Sequence, residues 1–187
     1  MSFADKATKV TTSLTSAGDA KQAVADLAYT GGYTNTEDAL KNCQETFPGN
    51  TDPTTRNVIL VFTDGTPTMV ADSTEKCRNF IAADFTNVPY NANAPGCKQH
   101  DGEHCLCAHK AEERATSIKA NGTTISTLFV KPASTATNAC PGSASCYPPE
   151  KFLAERVASQ GLDNTADWNN IDQQVGTLAD QIVAKIC

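Results

Sequence analysis

The sequence predicts an α/β fold: a mostly parallel sheet with helices on both faces. Two observations predict it. Residues 57–63, NVILVFT, and residues 123–130, TTISTLFV, are near-continuous apolar runs of strand length. Such runs suit strands of a parallel sheet covered on both faces, and the first reads as a buried central strand. The second observation is that segments with helical apolar spacing alternate with them, which is the pattern of a parallel sheet with crossover helices.

Each element follows in order. Residues 8–14 alternate Val10 and Leu14 with threonines and read as a polar-faced edge strand. Gly18-Asp19 opens a short helix with Ala20, Val24, Leu27 and Ala28 on one stripe, and Gly31-Gly32 ends it. Asn35-Thr36 caps the next helix, with Glu37 and Asp38 in its dipole-favoured first turn. Its apolar positions are Ala39, Leu40, Cys43 and Phe47, and Pro48-Gly49-Asn50 stops it. The 57–63 strand stops at Asp64-Gly65, and residues 66–107 read as irregular. A helix over 108–120 turns Ala108, Ala111, Ala115 and Ile118 inward and Glu112, Glu113, Arg114 and Lys119 outward. Asn121-Gly122 stops it. After the 123–130 strand and a loop over 131–149, helices follow at about 150–159 and 171–186. The last aligns Ile171, Val175, Leu178, Ile182 and Ile186.

Composition narrows the function. Asp+Glu exceed Lys+Arg, 21 to 15, for a formal net charge of -6. A nucleic-acid binder normally shows a basic face. No apolar run is long enough to cross a bilayer. The 8 cysteines, Cys43, Cys77, Cys97, Cys105, Cys107, Cys140, Cys146 and Cys187, are even in number and clustered in loop-like sequence. That pattern predicts disulfides and an oxidising compartment. MSFADKATKV shows no basic segment followed by an apolar one, so no signal peptide is visible.

Several segments then agree in order. GGYTNTEDAL (31–40), RNVILVFTDGTPT (56–68), AEERATSIKANGTTISTLFV (111–130) and FLAERVAS followed by an amphipathic helix together resemble the von Willebrand factor A domain. SFADKATKVTTSLTS (2–16) looks like that family's second strand and hairpin. The resemblance covers nearly the whole chain and implies a single domain over 1–187. It also implies a three-layer, Rossmann-like arrangement.

With that arrangement comes a metal-ion-dependent adhesion site at the carboxyl ends of the strands, where the resemblance implies that Mg²⁺ or a similar cation is held by hydroxyl and carboxylate oxygens. Hard cations take such ligands and keep waters that a partner can displace. The family's threonine ligand falls on Thr34 and its strand-end aspartate on Asp64. Its Asp-x-Ser-x-Ser motif has no counterpart; Asp72-Ser73-Thr74 lies in the wrong loop. On this reading the first strand and first helix are absent. The domain is N-terminally incomplete, a hydrophobic edge is exposed, and cation binding by this chain is weak or absent.

Loops 66–107 and 131–149 both follow the carboxyl end of a strand, so they should border the same site. They hold Cys77, Cys97, Cys105, Cys107, Cys140 and Cys146 as disulfide candidates, with Cys140–Cys146 the one local pairing expected. Cys43 lies on an apolar helix face, where a buried free thiol is as consistent as a bridge. For Cys187 the resemblance implies a partner near the start of the family's domain. His100, His104 and His109 fall in one string with Cys97, Cys105 and Cys107, a composition open to zinc, although no CxxC or helical HxxxH frame is present. Asn121-Gly122-Thr123 is a glycosylation sequon and also a helix-stop turn.

The expectation is an extracellular or secreted protein-binding and adhesion module. It captures an acidic side chain of a protein partner, with no nucleic acid and no membrane span. The alternative is a metal-independent module that binds through its stapled loops. An enzyme is not expected: no GxSxG occurs and the histidines are confined to residues 100–109.

Overall fold

A computed structural model describes residues 1–9, 16, 18–19, 22–23, 26, 32, 34–47, 56–64, 67, 103–131, 152–167 and 169–186, with side chains at 103–106 and 186 left aside. The described elements are a two-stranded antiparallel ribbon, β1 (Ser2–Phe3) and β2 (Ala7–Thr8); helix α1 (Thr36–Thr46); strand β3 (Val58–Thr63); helix α2 (Glu103–Ala120); strand β4 (Thr124–Val130); a π-helical turn (Leu153–Val157); strand β5 (Asp163–Ala166); and helix α3 (Ile171–Ile186).

The three main strands form a parallel sheet in the order β3-β4-β5. β-branched Val58, Ile59 and Val61 suit the pleat. β4 sits between its two partners and is buried along nearly its whole length. Successive side chains point to opposite faces. Ile125 and Phe129 of β4 join Ile59 and Val61 of β3 in one cluster with Leu40, Ala108, Ala111, Ala115, Ile118, Phe152, Leu153 and Val157. Leu128, of the other parity, packs with Ala166 and Leu178. Helix α2 thus packs against one face of β4, with α1 docked on α2, and α3 packs against the other. Each fully buried Leu, Ile or Phe contributes about 1.5–3 kcal/mol.

The inward stripe of α2 is as the spacing predicts: Ala108, Ala111, Ala115 and Ile118 are wholly buried. In α1, Ala39 and Leu40 are buried, and Cys43 and Phe47 pack on the core. Residues 18–19 and 22–23, within the short helix expected after Gly18, are helical, and the Ser16 hydroxyl accepts from the Asp19 amide. Residues 10–14 of the expected 8–14 strand lie outside the described residues.

Five expectations change. β3 is not buried on both faces: Leu60 and Phe62 are 47% and 43% exposed. Among the described residues β3 pairs only with β4, and α3 covers β4 and β5 instead. α2 begins at Glu103, so Cys105 and Cys107 belong to a helix and not to the end of a loop over 66–107. Cys107 extends the Ala111–Ala115–Ile118 stripe by one turn, which is why burial favours helix there. Glu112, Arg114 and Lys119 are half-buried and paired, not outward in solvent. The 150–159 helix is a π-helical turn after Phe152. Finally, Val175 of the expected α3 stripe is 41% exposed, whereas Leu178 is buried.

β5 had no apolar run to announce it. Its sequence is DNTA, and it pairs in parallel with β4 from Thr127↔Asp163 to Val130↔Ala166. Gly161 turns the chain into it with a positive φ of 70°.

Candidate functional site

Helix α1 packs on α2 and on the N-terminal ribbon, and its C-terminal end lies near the start of β3. Phe47, after its C-terminus, lines a pocket with Val58, Ile59 and Leu60 at the start of β3. Asp64 follows the carboxyl end of β3. Thr34 is half-buried and Asp64 is exposed.

The loop carrying Thr34 is held from below by the N-terminal ribbon. Asn35 is 2% exposed and does two jobs. Its side-chain oxygen caps α1 by accepting from the Asp38 amide at 3.0 Å, and its side-chain nitrogen donates to the Asp5 carbonyl at 3.0 Å. Its backbone amide donates to the Ala4 carbonyl at 2.9 Å. The Asp38 carboxylate accepts from the Ala7 amide at 2.6 Å and from the Asn42 side chain at 3.0 Å. Gly32 has φ 104°, and a Cβ there would lie 2.5 Å from Asp5 Oδ1. The positive φ favours glycine there, and a Cβ would have to displace the Asp5 carboxylate.

A charged seam fixes the other side of α1 and α2. Glu37 is buried and meets Arg114 at 3.9 Å. Glu112 meets Arg156 of the π-helical turn at 3.4 Å, and burial pushes its carboxyl above the usual range. Lys119 donates to the carbonyls of Arg156 and Ala158, both at 3.2 Å, and burial pulls its ammonium below the usual range. These pairings tie the turn to α2; helical spacing places all three charges away from the core but does not supply their partners.

Residues 1–66 match the family model of the von Willebrand factor type A domain. The N-terminal region is of von Willebrand factor A type. The matched span holds the ribbon, α1, β3 and both Thr34 and Asp64. Domains of this type are generally protein-interaction modules, not enzymes. No curated protein and no solved structure matches the chain.

Von Willebrand factor A domains often bind a divalent cation, and the oxygen donors here can be compared with that role. Mg²⁺ demands near-octahedral oxygen coordination. Thr34 offers one hydroxyl and Asp64 one carboxylate, while Asp38 is engaged by Ala7 and Asn42. Among the described residues no group of three or more His, Cys, Asp or Glu side chains is arranged to hold a metal. Among the described residues, these two oxygen donors alone fall short of an octahedral set.

Of the cysteines, Cys43 is a free thiol, 3.9 Å from the Met1 sulfur, and burial raises its pKa. A thiol held protonated is a poor nucleophile. Cys107 is wholly buried in α2. Cys105 and His104 lie on the α2 backbone; Cys77, Cys97, Cys140, Cys146, Cys187 and His100 lie outside the described residues. His109, in the string open to zinc, pairs with Glu113 at 3.2 Å across one helical turn. No helix among the described residues is long and apolar enough to cross a membrane.

Proposed function

We propose that this chain is an extracellular protein-binding module of the von Willebrand factor A type, acting through the carboxyl rim that carries Thr34 and Asp64. The observation that carries the reading is the family match over residues 1–66, which contains both residues. The adhesion site is degenerate: binding at the rim uses hydrogen bonds and loop contacts more than a resident cation. The ligand is a protein segment with an acidic side chain. Asp64 alone would repel such a group, so weak bridging by a cation from solution or a neighbouring donor must offset it.

The cysteine-rich segments that follow β3 and β4 in sequence, the first as far as the start of α2 and the second over 131–149, would border the rim as disulfide-stapled loops. Of the two described cysteine side chains, Cys43 is the free one. Non-reducing peptide mapping is expected to find the loop cysteines oxidised and Cys43 reduced. Free thiols carrying bound zinc would replace this reading with a metal-knuckle one.

Displayed-peptide selection against the full chain tests the function, with Asp64→Ala and EDTA as the two controls. The expected result is enrichment of acidic peptides whose capture falls at least about tenfold in Asp64→Ala, a loss of about 1.4 kcal/mol. Capture that survives Asp64→Ala would move the binding surface off the rim. Direct titration with Mn²⁺ is expected to show no tight site; tight binding lost in Asp64→Ala would restore a working metal site.

A further inference from the structure

We propose that Asn121 is an acceptor for an N-linked glycan, added before the turn that holds it closes. Asn121-Gly122-Thr123 is the single Asn-x-Ser/Thr triplet in the sequence. The proposal rests on the extracellular reading above, because only that compartment exposes a chain to the transferase.

The structure adds three observations to the motif. Asn121 is exposed, and among the described residues its side-chain amide makes no hydrogen bond; its backbone amide is satisfied by the carbonyls of Ser117 and Ile118, both at 3.2 Å. The side chain is therefore not needed to cap α2. Gly122 has φ 80°, and nothing lies within 4 Å of where a Cβ would stand, so the turn has open space around it. Its position is also compatible with ligand binding. Thr124 donates to the Asn57 carbonyl, which places the turn at the amino ends of β4 and β3. Asp64 lies at the other end of β3, so a glycan on Asn121 leaves the carboxyl rim clear.

The same turn sets the timing. Thr123 is 8% exposed, and its amide donates to the Ile118 carbonyl at 3.3 Å. A transferase must reach the hydroxyl of Thr123 as well as the amide of Asn121, and the closed turn buries that residue. Transfer therefore precedes closure.

The chemistry balances without redox change. The side-chain nitrogen of Asn121 attacks the anomeric carbon of a lipid-diphosphate-linked oligosaccharide. An N–C bond forms as the C–O bond to the diphosphate breaks. The lipid diphosphate leaves with the electron pair, and the amide gives up one proton to a base of the transferase.

The test is translation of the full 187-residue chain, behind a cleavable leader, into endoplasmic-reticulum microsomes. One endoglycosidase-sensitive mass shift is expected, kept in Thr123→Ser and lost in both Asn121→Gln and Thr123→Ala. A translocated, protease-protected chain with no shift overturns the site. For the timing, purified folded chain and urea-unfolded, alkylated chain are offered to detergent-solubilised transferase. The unfolded chain is expected to accept at least about tenfold more glycan; equal acceptance overturns the order of events. Failure of the extracellular reading looks different: chain from its native source would carry reduced cysteines and no glycan, while the microsomal chain still shifts.

Discussion

The carboxylate of Asp38, in the first turn of α1, accepts a 2.6 Å hydrogen bond from the backbone amide of Ala7, 31 positions earlier. This contact docks the N-terminal ribbon against the loop that carries Thr34. An ionised acceptor on a backbone amide is among the stronger hydrogen bonds. Asp38→Ala is expected to cost about 1–3 kcal/mol, and Asp38→Asn less, because an amide oxygen still accepts. Chemical denaturation measures both, and hydrogen exchange at the Ala7 amide should accelerate in step. Unchanged exchange at Ala7 would show that other contacts hold the ribbon.

Two glycines should respond in opposite directions to alanine. Gly32 has a positive φ, and a Cβ there would meet the Asp5 carboxylate. Gly32→Ala is expected to cost about 1–3 kcal/mol through backbone strain, and more if Asp5 cannot move. Gly176 lies within α3, exposed, with nothing within 4 Å of a Cβ. Gly176→Ala is expected to add about 0.5–1 kcal/mol by helix propensity. Paired thermal melts separate the two, and a destabilised Gly176→Ala would mean that α3 meets something at that position.

The two faces of β3 should differ as sharply. Ile59 is buried in the main cluster and Leu60, its neighbour, is half-exposed. Ile59→Ala is expected to cost about 2–5 kcal/mol, whereas Leu60→Ser stays within about 0.5 kcal/mol. Leu60→Ser combined with Phe62→Ser should also lower self-association in sedimentation, since an uncovered apolar strip on a sheet invites pairing. Equal destabilisation by Ile59→Ala and Leu60→Ser would place a cover over that face.

Glu112 gives a pH test with a definite sign. Burial raises its folded-state pKa above the ordinary value of 4.5, against a smaller lowering by Arg156. A raised folded-state value means that the fold favours the protonated carboxyl. Its stabilising contribution is complete below the unfolded pKa and is lost as pH rises through the folded one. The melting temperature of the native chain, minus that of Glu112→Gln, should therefore fall as pH rises above the ordinary carboxylate value of 4.5. A difference that rises instead would mean that the Arg156 pairing dominates desolvation.

Much of the fold was legible because apolar spacing is a local property of the chain. NVILVFT and TTISTLFV stood out as strands, and the Ala108–Ile118 stripe and the Leu40–Phe47 face as helices, from side-chain periodicity alone. The cap at Asn35 and the stop at Gly122 were legible for the same reason: each is a local backbone requirement. The motif pair Gly32–Thr36 and Asp64 pointed to one rim, but the sequence carried no distances between them.

What the sequence by itself determined was thus which segments become strands and helices, which of their faces are apolar, and which family the N-terminal region follows. The tertiary structure alone decided what meets those faces. An apolar run says that a strand can be buried, not that a layer arrives on both sides; α3 settles over β4 and β5, so Leu60 and Phe62 stay exposed. β5 exists because β4 offers it a backbone ladder, a force that leaves no trace in hydrophobicity. Glu112 and Arg156 lie 44 positions apart, and only the packing of the π-helical turn on α2 brings them together. Periodicity is written along the chain, whereas pairing depends on neighbours that folding brings from elsewhere.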